Sequence, residues 1–130
     1  MRQTFTKDER LHKKILIEKL FQEGRSFSVS PFRITWLSVP LEVKVPVQVL
    51  IGIPRNSHPK AVNRNLLKRR IREAFRKNKQ PFYEFLEGSQ KQLLLGILYT
   101  AREILPYSMI QEKIILLLQR LKEENEKYTG

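Results

Sequence analysis

Cysteine is absent from this chain of 130 residues, and histidine occurs only as His12 and His58. The lack of cysteine excludes a disulfide framework, a thiolate zinc site and a cysteine nucleophile. We assign both histidines to the surface, and two histidines so far apart argue against a histidine-rich metal site. No apolar run approaches the ~20 residues of a membrane-spanning helix, and the N-terminus lacks the apolar core of a signal peptide. We therefore expect a cytoplasmic protein with no membrane partner.

Acidic residues are scarce as well. The chain has 13 Asp and Glu residues against 25 Lys and Arg residues, which gives a formal net charge of +12. The acids are scattered, so we expect no catalytic residue and no metal site on the polypeptide. A strongly basic domain fits a polyanion, for which nucleic acid is the commonest candidate and an anionic membrane surface the weaker one.

A length of 130 residues predicts that the chain, 1–130, forms a single domain. Residues 10–24 predict a helix, residues 32–38 a strand and residues 47–53 a second strand, while residues 26–30 indicate a polar turn. Because the connection between the two strands is short, we expect them to pair as a hairpin. The apolar face of the predicted helix comprises Ile15, Leu16, Leu20 and Phe21.

The first predicted strand alternates between its two faces. Phe32, Ile34 and Trp36 share one face, which we assign to the core. Arg33 and Thr35 share the other face. A cation on that second face indicates a surface open to solvent or to a partner.

The second half of the chain alternates between helix and strand. Residues 61–79 predict a long helix, which Pro81 ends. Residues 93–99 are an apolar run that we assign to a buried strand, although periodicity alone also permits a helix. A last helix begins near Pro106. The order helix, strands, helix, strand, helix favours an α/β (α+β) two-layer sandwich, with one layer of helices over one sheet.

The long predicted helix carries most of the charge. From residue 60 to residue 79, nine basic residues face one acid, Glu73, so this segment holds +8 of the net charge of +12. Solvated helix faces usually mix both signs, and this imbalance therefore favours phosphate binding. The apolar arc of the helix comprises Leu67, Ile71, Ala74 and Phe75. The adjoining arc comprises Asn65, Lys68, Arg69, Arg72 and Arg76.

A spaced pattern within this helix is more specific than its charge. Its members are Ala61, Val62, Arg64, Asn65, Lys68, Arg69, Arg72 and Phe75. The pattern resembles the signature of the protein subunit of bacterial ribonuclease P. The resemblance extends to the Arg10-Leu11 pair and to the segment that leads into Arg55, and it is looser beyond Phe85. Leu66 stands where that signature has an arginine.

The resemblance implies a function as well as a fold. The implied fold is an α/β sandwich with a left-handed β-α-β crossover, against the usual hand of such connections. The implied function is that of the RNA-binding subunit of ribonuclease P, which helps a catalytic RNA to cleave the 5′ leader from precursor tRNA. In such an enzyme the RNA carries the catalysis and holds most of the Mg²⁺, whose binding the protein favours. The implied partners are that RNA and precursor tRNA, with no organic cofactor and no small-molecule substrate.

The resemblance and the charge pattern together select two sets of candidate residues. The candidates for contact with the catalytic RNA are Arg55, Lys60, Arg64, Asn65, Lys68, Arg69, Arg72 and Arg76. A cleft between the first helix and the sheet is implied to bind the leader, and the candidates there are Phe21, Arg33 and Thr35. Phe21 fits either base stacking in the cleft or packing in the core.

Two alternatives use the same basic helix. A ribosomal or other RNA-binding assembly protein would carry it without any role in tRNA processing. A DNA-binding protein would place it in a major groove, but no helix-turn-helix partner precedes it in the sequence.

Overall fold

A computed structural model describes residues 4–128 as four α-helices, a four-stranded sheet and a short 3₁₀ turn at Lys7–Glu9. The helices are α1 (Lys14–Glu23), α2 (Ala61–Asn78), α3 (Gln80–Gly88) and α4 (Tyr107–Lys127). The strands are β1 (Arg25–Val29), β2 (Phe32–Ser38), β3 (Val47–Gly52) and β4 (Leu93–Tyr99).

The strand order in the sheet is β1-β2-β4-β3. β4 pairs antiparallel with β2 and parallel with β3, so the predicted hairpin of residues 32–38 with residues 47–53 is wrong. β4 is apolar on both faces, and the sheet buries it best by placing it between the other two strands. The hairpin that does form joins β2 to β1, in the segment expected to be a turn. Of the five β1 side chains only Phe27 is buried, which is why its sequence resembles a polar loop.

The sheet is covered by helices on both faces. α2, α3 and α4 bury the larger core against one face, where Phe32, Ile34 and Trp36 lie as predicted. α1 packs on the opposite face, with Leu20 against Leu94. The α+β sandwich is confirmed. The expectation of a single layer of helices over the sheet is wrong, because α1 covers the opposite face. β3 and β4 are parallel neighbours joined through α2 and α3, as a β-α-β crossover requires, while its left hand stays a prediction.

The helices agree with expectation at α2 and differ from it at α3 and α1. The four apolar residues of α2 are fully buried, as predicted. The helix α3 was not predicted: α2 ends at Asn78, and Pro81 lies in the first turn of α3. On α1, Leu20 is buried, but Ile15 and Phe21 are 74% and 58% exposed, so only part of the predicted apolar face contacts the core.

Gly24 caps the C-terminal end of α1, at a position where no larger residue fits. A Cβ atom at this position would lie 2.4 Å from the Leu20 carbonyl oxygen and 2.9 Å from the Thr35 side chain. The φ of Gly24 is −73°, so the requirement is this close approach and not a left-handed backbone. The contact sets α1 tightly onto β2.

The N-terminal segment, residues 4–13, is bonded to the edge of the sheet and to the start of α3. Arg10 forms a parallel bridge with Val49 of β3, and the Leu11 N–H donates to the Val49 carbonyl oxygen at 2.9 Å. The buried carboxylate of Glu9 accepts a hydrogen bond from the Lys79 ammonium group at 2.6 Å and another from the Tyr83 hydroxyl. We call Glu9, Lys79 and Tyr83 the latch.

The latch keeps its carboxylate ionised. Burial alone would raise the pKa of Glu9, but hydrogen bonds from Lys79, Thr6 and Tyr83 outweigh burial and lower that pKa below its ordinary value. Burial and the hydrogen bond to Glu9 both raise the pKa of the Tyr83 hydroxyl, which therefore stays protonated. A buried ion pair of this kind tolerates the loss of either partner poorly.

Replacing Glu9→Gln should destabilise the protein by about 3 kcal/mol at pH 7, because it leaves the Lys79 ammonium group buried without a charge partner. Because the pKa of Glu9 is lower in the folded protein than in the unfolded chain, its ionised carboxylate stabilises the fold at pH values above the ordinary pKa. This stabilisation is lost as the pH falls through the folded-state pKa. The difference between variant and wild type should therefore shrink below about pH 4. Urea unfolding at several pH values measures both effects.

Glu42→Gln is the matched control, because Glu42 pairs with Lys13 at 3.1 Å on the exposed surface. Its effect should stay below about 1 kcal/mol at every pH. Equal effects of the two substitutions at pH 7 would show that the latch contributes no more than a surface ion pair.

Candidate nucleic-acid interface

The cationic arc of α2 lies next to its buried apolar arc and faces away from the core. Asn65 and Arg69 are exposed, and Lys68 and Arg72 are half-exposed. Within residues 4–128, Lys68, Arg69 and Arg72 have no ion-pair partner. Burial and the nearby Arg10 guanidinium lower the pKa of Arg72, as expected where cations gather without acids. We call Asn65, Lys68, Arg69 and Arg72 the basic row.

Arg64 is directed to the loop before α2. Its Nη1 donates hydrogen bonds to the carbonyl oxygens of His58 and Pro59, at 3.1 and 2.8 Å. His58 is buried, contrary to the surface position assigned to it, and its Nε2 lies 2.8 Å from the Ala101 carbonyl oxygen. His58 thereby pins this loop to the segment after β4. The loop carries Arg55 and Lys60, which are both exposed.

Arg76 lies apart from the basic row in its chemistry. Its Nε and Nη2 donate to the Glu73 carboxylate at 3.0 and 2.5 Å, and this contact raises the pKa of Arg76. Lys77 lies 3.8 Å from the same carboxylate. Glu73 therefore compensates the C-terminal end of α2 and leaves the middle of the helix cationic. Arg70 points elsewhere and donates to the Leu105 carbonyl oxygen at 2.6 Å.

A cleft of about 380 Å³ opens on the other face of the sheet, beside α1. All three residues predicted to bind the leader lie in it, although they come from different elements and positions in the sequence. Its lining includes Phe21, Ser26, Arg33, Thr35, Leu50, Gly52, Gly96, Ile97 and Leu98.

The cleft combines an aromatic ring, a cation and two hydroxyl groups. Phe21 is largely exposed above Gly96, where an added Cβ would come within 3.4 Å of its ring. Arg33 of β2 is exposed on the face of the sheet that lines the cleft. Thr35 is buried, and its hydroxyl is 3.1 Å from that of Ser26. An exposed ring beside an arginine offers stacking and a phosphate contact to a single strand of RNA.

Two residues near these surfaces were not selected from the sequence. Ser26 was assigned to a turn, and only its pairing with Thr35 across the β1–β2 hairpin places it in the cleft. Arg10 reaches the basic row because the latch folds the N-terminal segment over the edge of β3. The resemblance of the Arg10-Leu11 pair was the one signal that pointed to Arg10.

The described part of the chain contains no group of three or more His, Asp or Glu side chains arranged to hold a metal ion. Across residues 4–128, none of the helices combines the length and the apolarity needed to span a lipid bilayer.

Comparisons with known proteins agree with these features. The family model described as Ribonuclease P matches residues 5–122. A ribonuclease P protein component from Petrotoga mobilis is 30% identical over 123 residues, which cover 92% of this chain and 97% of the relative. Another from Chlorobium phaeobacteroides is 29% identical over 126 residues, covering 89% and 86%.

The fold gives the same result. The solved structure of the RNase P protein from Thermotoga maritima superposes with a TM-score of 0.64 at 26% identity, covering 86% of this chain and 96% of that one. The match extends across both the basic row and the cleft, since both lie within residues 5–122. The chain therefore belongs to the ribonuclease P family, as a protein component of the bacterial type.

Proposed function

We propose that this chain binds the catalytic RNA of ribonuclease P and the leader of precursor tRNA, and so assists cleavage at the 5′ end of the tRNA. The observation that carries the proposal is the pairing of two surfaces on opposite faces of one sheet. One is the basic row, whose cations have no ion-pair partner among residues 4–128; the other is the cleft around Phe21 and Arg33.

The two surfaces suit different RNA features. The basic row presents guanidinium and ammonium groups at helical spacing, which match a phosphate backbone and carry no base specificity. The exposed loop cations Arg55 and Lys60 extend it. Arg64 supports this surface by bonding the loop carbonyls through Nη1, and its other N–H groups would be donors for RNA. Asn65 adds a neutral hydrogen-bonding group to the row. Arg76 lies at the end of the row, where its charge is compensated by Glu73.

The cleft suits an unpaired strand. A base stacked on Phe21 would have its backbone near Arg33, and the Ser26–Thr35 hydroxyl pair would form the wall. A leader is single-stranded, whereas mature tRNA has none. The cleft would therefore distinguish precursor tRNA from mature tRNA.

In this proposal the chemistry belongs to the RNA. Mg²⁺ is held mainly by the RNA subunit, and it would supply the charge stabilisation for phosphodiester cleavage. The protein favours Mg²⁺ binding by holding the RNA and its substrate together. No organic cofactor is needed for this role, which belongs to the cytoplasm, where tRNA is made.

Cleavage of precursor tRNA by the ribonuclease P RNA of the same organism, at low Mg²⁺, tests the function directly. The protein should increase the rate, and the double variant Lys68→Met/Arg69→Met should lose most of the increase because it removes two unpaired cations. Arg64 is left intact because it also holds the loop before α2. RNA binding without any increase in cleavage would instead support the ribosomal or assembly role.

The affinity for that RNA should fall steeply with salt. If the surface neutralises about four to six phosphates, the slope of log affinity against log salt should lie between about −3 and −5. Filter binding or fluorescence titration from low to moderate salt measures it. A slope near zero would contradict the proposed phosphate contacts.

Replacing Phe21→Ala should weaken binding of precursor tRNA to the holoenzyme by about 1–3 kcal/mol, or roughly 5- to 150-fold, through the loss of one base stack. Mature tRNA should bind as before. Ile15→Ala is the control, since Ile15 is another exposed apolar residue of α1 that lies outside the cleft. Equal weakening for precursor and mature tRNA would remove Phe21 from the leader site.

A further inference from the structure

Arg10 is an arginine of the N-terminal segment that lies beside the basic row. Its guanidinium carbon is 5.9 Å from the centroid of the Phe5 ring, and that ring packs edge-on against Phe75 of α2 with centroids 6.1 Å apart. Arg72 is one turn before Phe75 on the same helix, and residues at this spacing are surface neighbours. The contacts of Arg10 with Phe5, and of Phe5 with Phe75, thus place Arg10 on the side of α2 where Arg72 lies.

These two arginines share a surface without an acid to balance them. Arg10 is exposed and Arg72 half-exposed, and within residues 4–128 neither forms an ion pair. The acids next to them in sequence are already engaged elsewhere. Glu9 is buried and bonded to Lys79, Tyr83 and Thr6. Glu73 is bonded to Arg76 and lies 3.8 Å from Lys77. Two guanidinium groups held together in this way repel each other unless an anion lies between them.

The position of Arg10 is fixed from both sides. Its backbone is bridged to Val49 at the edge of β3, and the preceding residue is the buried carboxylate of the latch. An arginine on a fixed backbone loses less conformational freedom on binding than one on a mobile tail. Within the described residues, the Glu9–Lys79 pair of the latch is the only ion pair between the N-terminal segment and the α2–α3 junction.

We propose that Arg10 and Arg72 together form a site for one phosphodiester group of RNA, and that the latch positions Arg10 for it. Two guanidinium groups supply the planar N–H pairs that match phosphate oxygens, and they come from segments far apart in sequence. The site extends the RNA surface from α2 across the sheet edge toward the cleft. This inference rests on the proposed RNA-binding function.

The test compares Arg10→Met, Arg72→Met and the double variant for binding to the ribonuclease P RNA as a function of salt. Each single substitution should weaken binding about 10- to 100-fold, as expected for a charge-assisted hydrogen bond, and should reduce the salt slope by about 1. Because both arginines serve one phosphate, the double variant should lose little more than either single variant. Arg10→Lys should keep the slope but lose part of the affinity, because it retains the charge without the fork.

Arg120→Met is the matched control, since Arg120 is an exposed arginine of α4 paired with Glu124. It should leave both affinity and slope unchanged. Independent losses, with a slope reduced by about 2 in the double variant, would overturn the shared site. Unchanged binding by Arg10→Met would overturn the role of Arg10 while the proposed function stands. Wild-type protein without salt-dependent RNA binding would overturn the proposed function itself.

The positioning role of the latch needs a variant that leaves surface charge intact. Tyr83→Phe removes the hydroxyl bond to Glu9 and should weaken RNA binding several-fold in the wild-type background. In the Arg10→Met background it should have no effect, because there is no longer an arginine to position. Tyr107→Phe, which removes a hydroxyl bonded to Gln111 on α4, should be silent in both. Equal weakening by Tyr83→Phe in both backgrounds would reduce the latch to a general stabiliser.

Discussion

Burial of β4 on both faces is the constraint on which the rest of the structure depends. Its alternate side chains enter the larger core beneath α2 and α4, while Leu94 and Gly96 face α1. A strand that is apolar on both sides must be central and must be covered twice, which forces β2 and β3 to its two flanks. The residues that enter the larger core are Leu93, Leu95, Ile97 and Tyr99.

The cleft follows from how little of the second face α1 covers. A helix of ten residues spans about 15 Å, and α1 contacts this face near Leu94 and ends at the tight approach of Gly24. Toward Leu98 the face stays open, and Phe21 and Arg33 border the gap. The N-terminal segment covers the sheet edge beside the cleft, where Arg10 is bridged to Val49 of β3. Because the latch joins the same segment to the end of α2, that segment connects the cleft side of the molecule to the α2 side.

Local periodicity was sufficient to predict which residues of a single helix or strand face the core. The buried arc of α2 and the core face of β2 were both predicted correctly, because each depends only on which residues share a face. Pairing between strands is not local, and the hairpin prediction failed because β4, more than 40 residues further along, competes for the edge of β2. Periodicity also cannot separate a core residue from one that lines an open cleft, and for that reason Leu20 and Phe21 looked alike.

The site was predicted in part for the same reason. The cations of the basic row lie on consecutive turns of one helix, so the sequence predicts them. The residues that position the neighbouring groups lie in other segments. The buried His58 bonds to Ala101, and Arg10 is placed beside the row by the bridge to Val49 and by the latch. Such contacts between distant segments leave no trace in a local pattern.

Repulsion between like charges destabilises the middle of α2 in the free protein, although its apolar arc is buried. Lys68, Arg72 and Arg76 repeat a like charge at i,i+4, each such pair costing a few tenths of a kcal/mol, and Glu73 relieves only the end near Arg76. The fully buried apolar arc holds the helix in place against this repulsion. A bound phosphate backbone would remove this repulsion, so part of the free energy of the proposed RNA binding would come from repulsion already present in the free protein. Any polyanion that binds the folded chain alone must stabilise it by the same linkage.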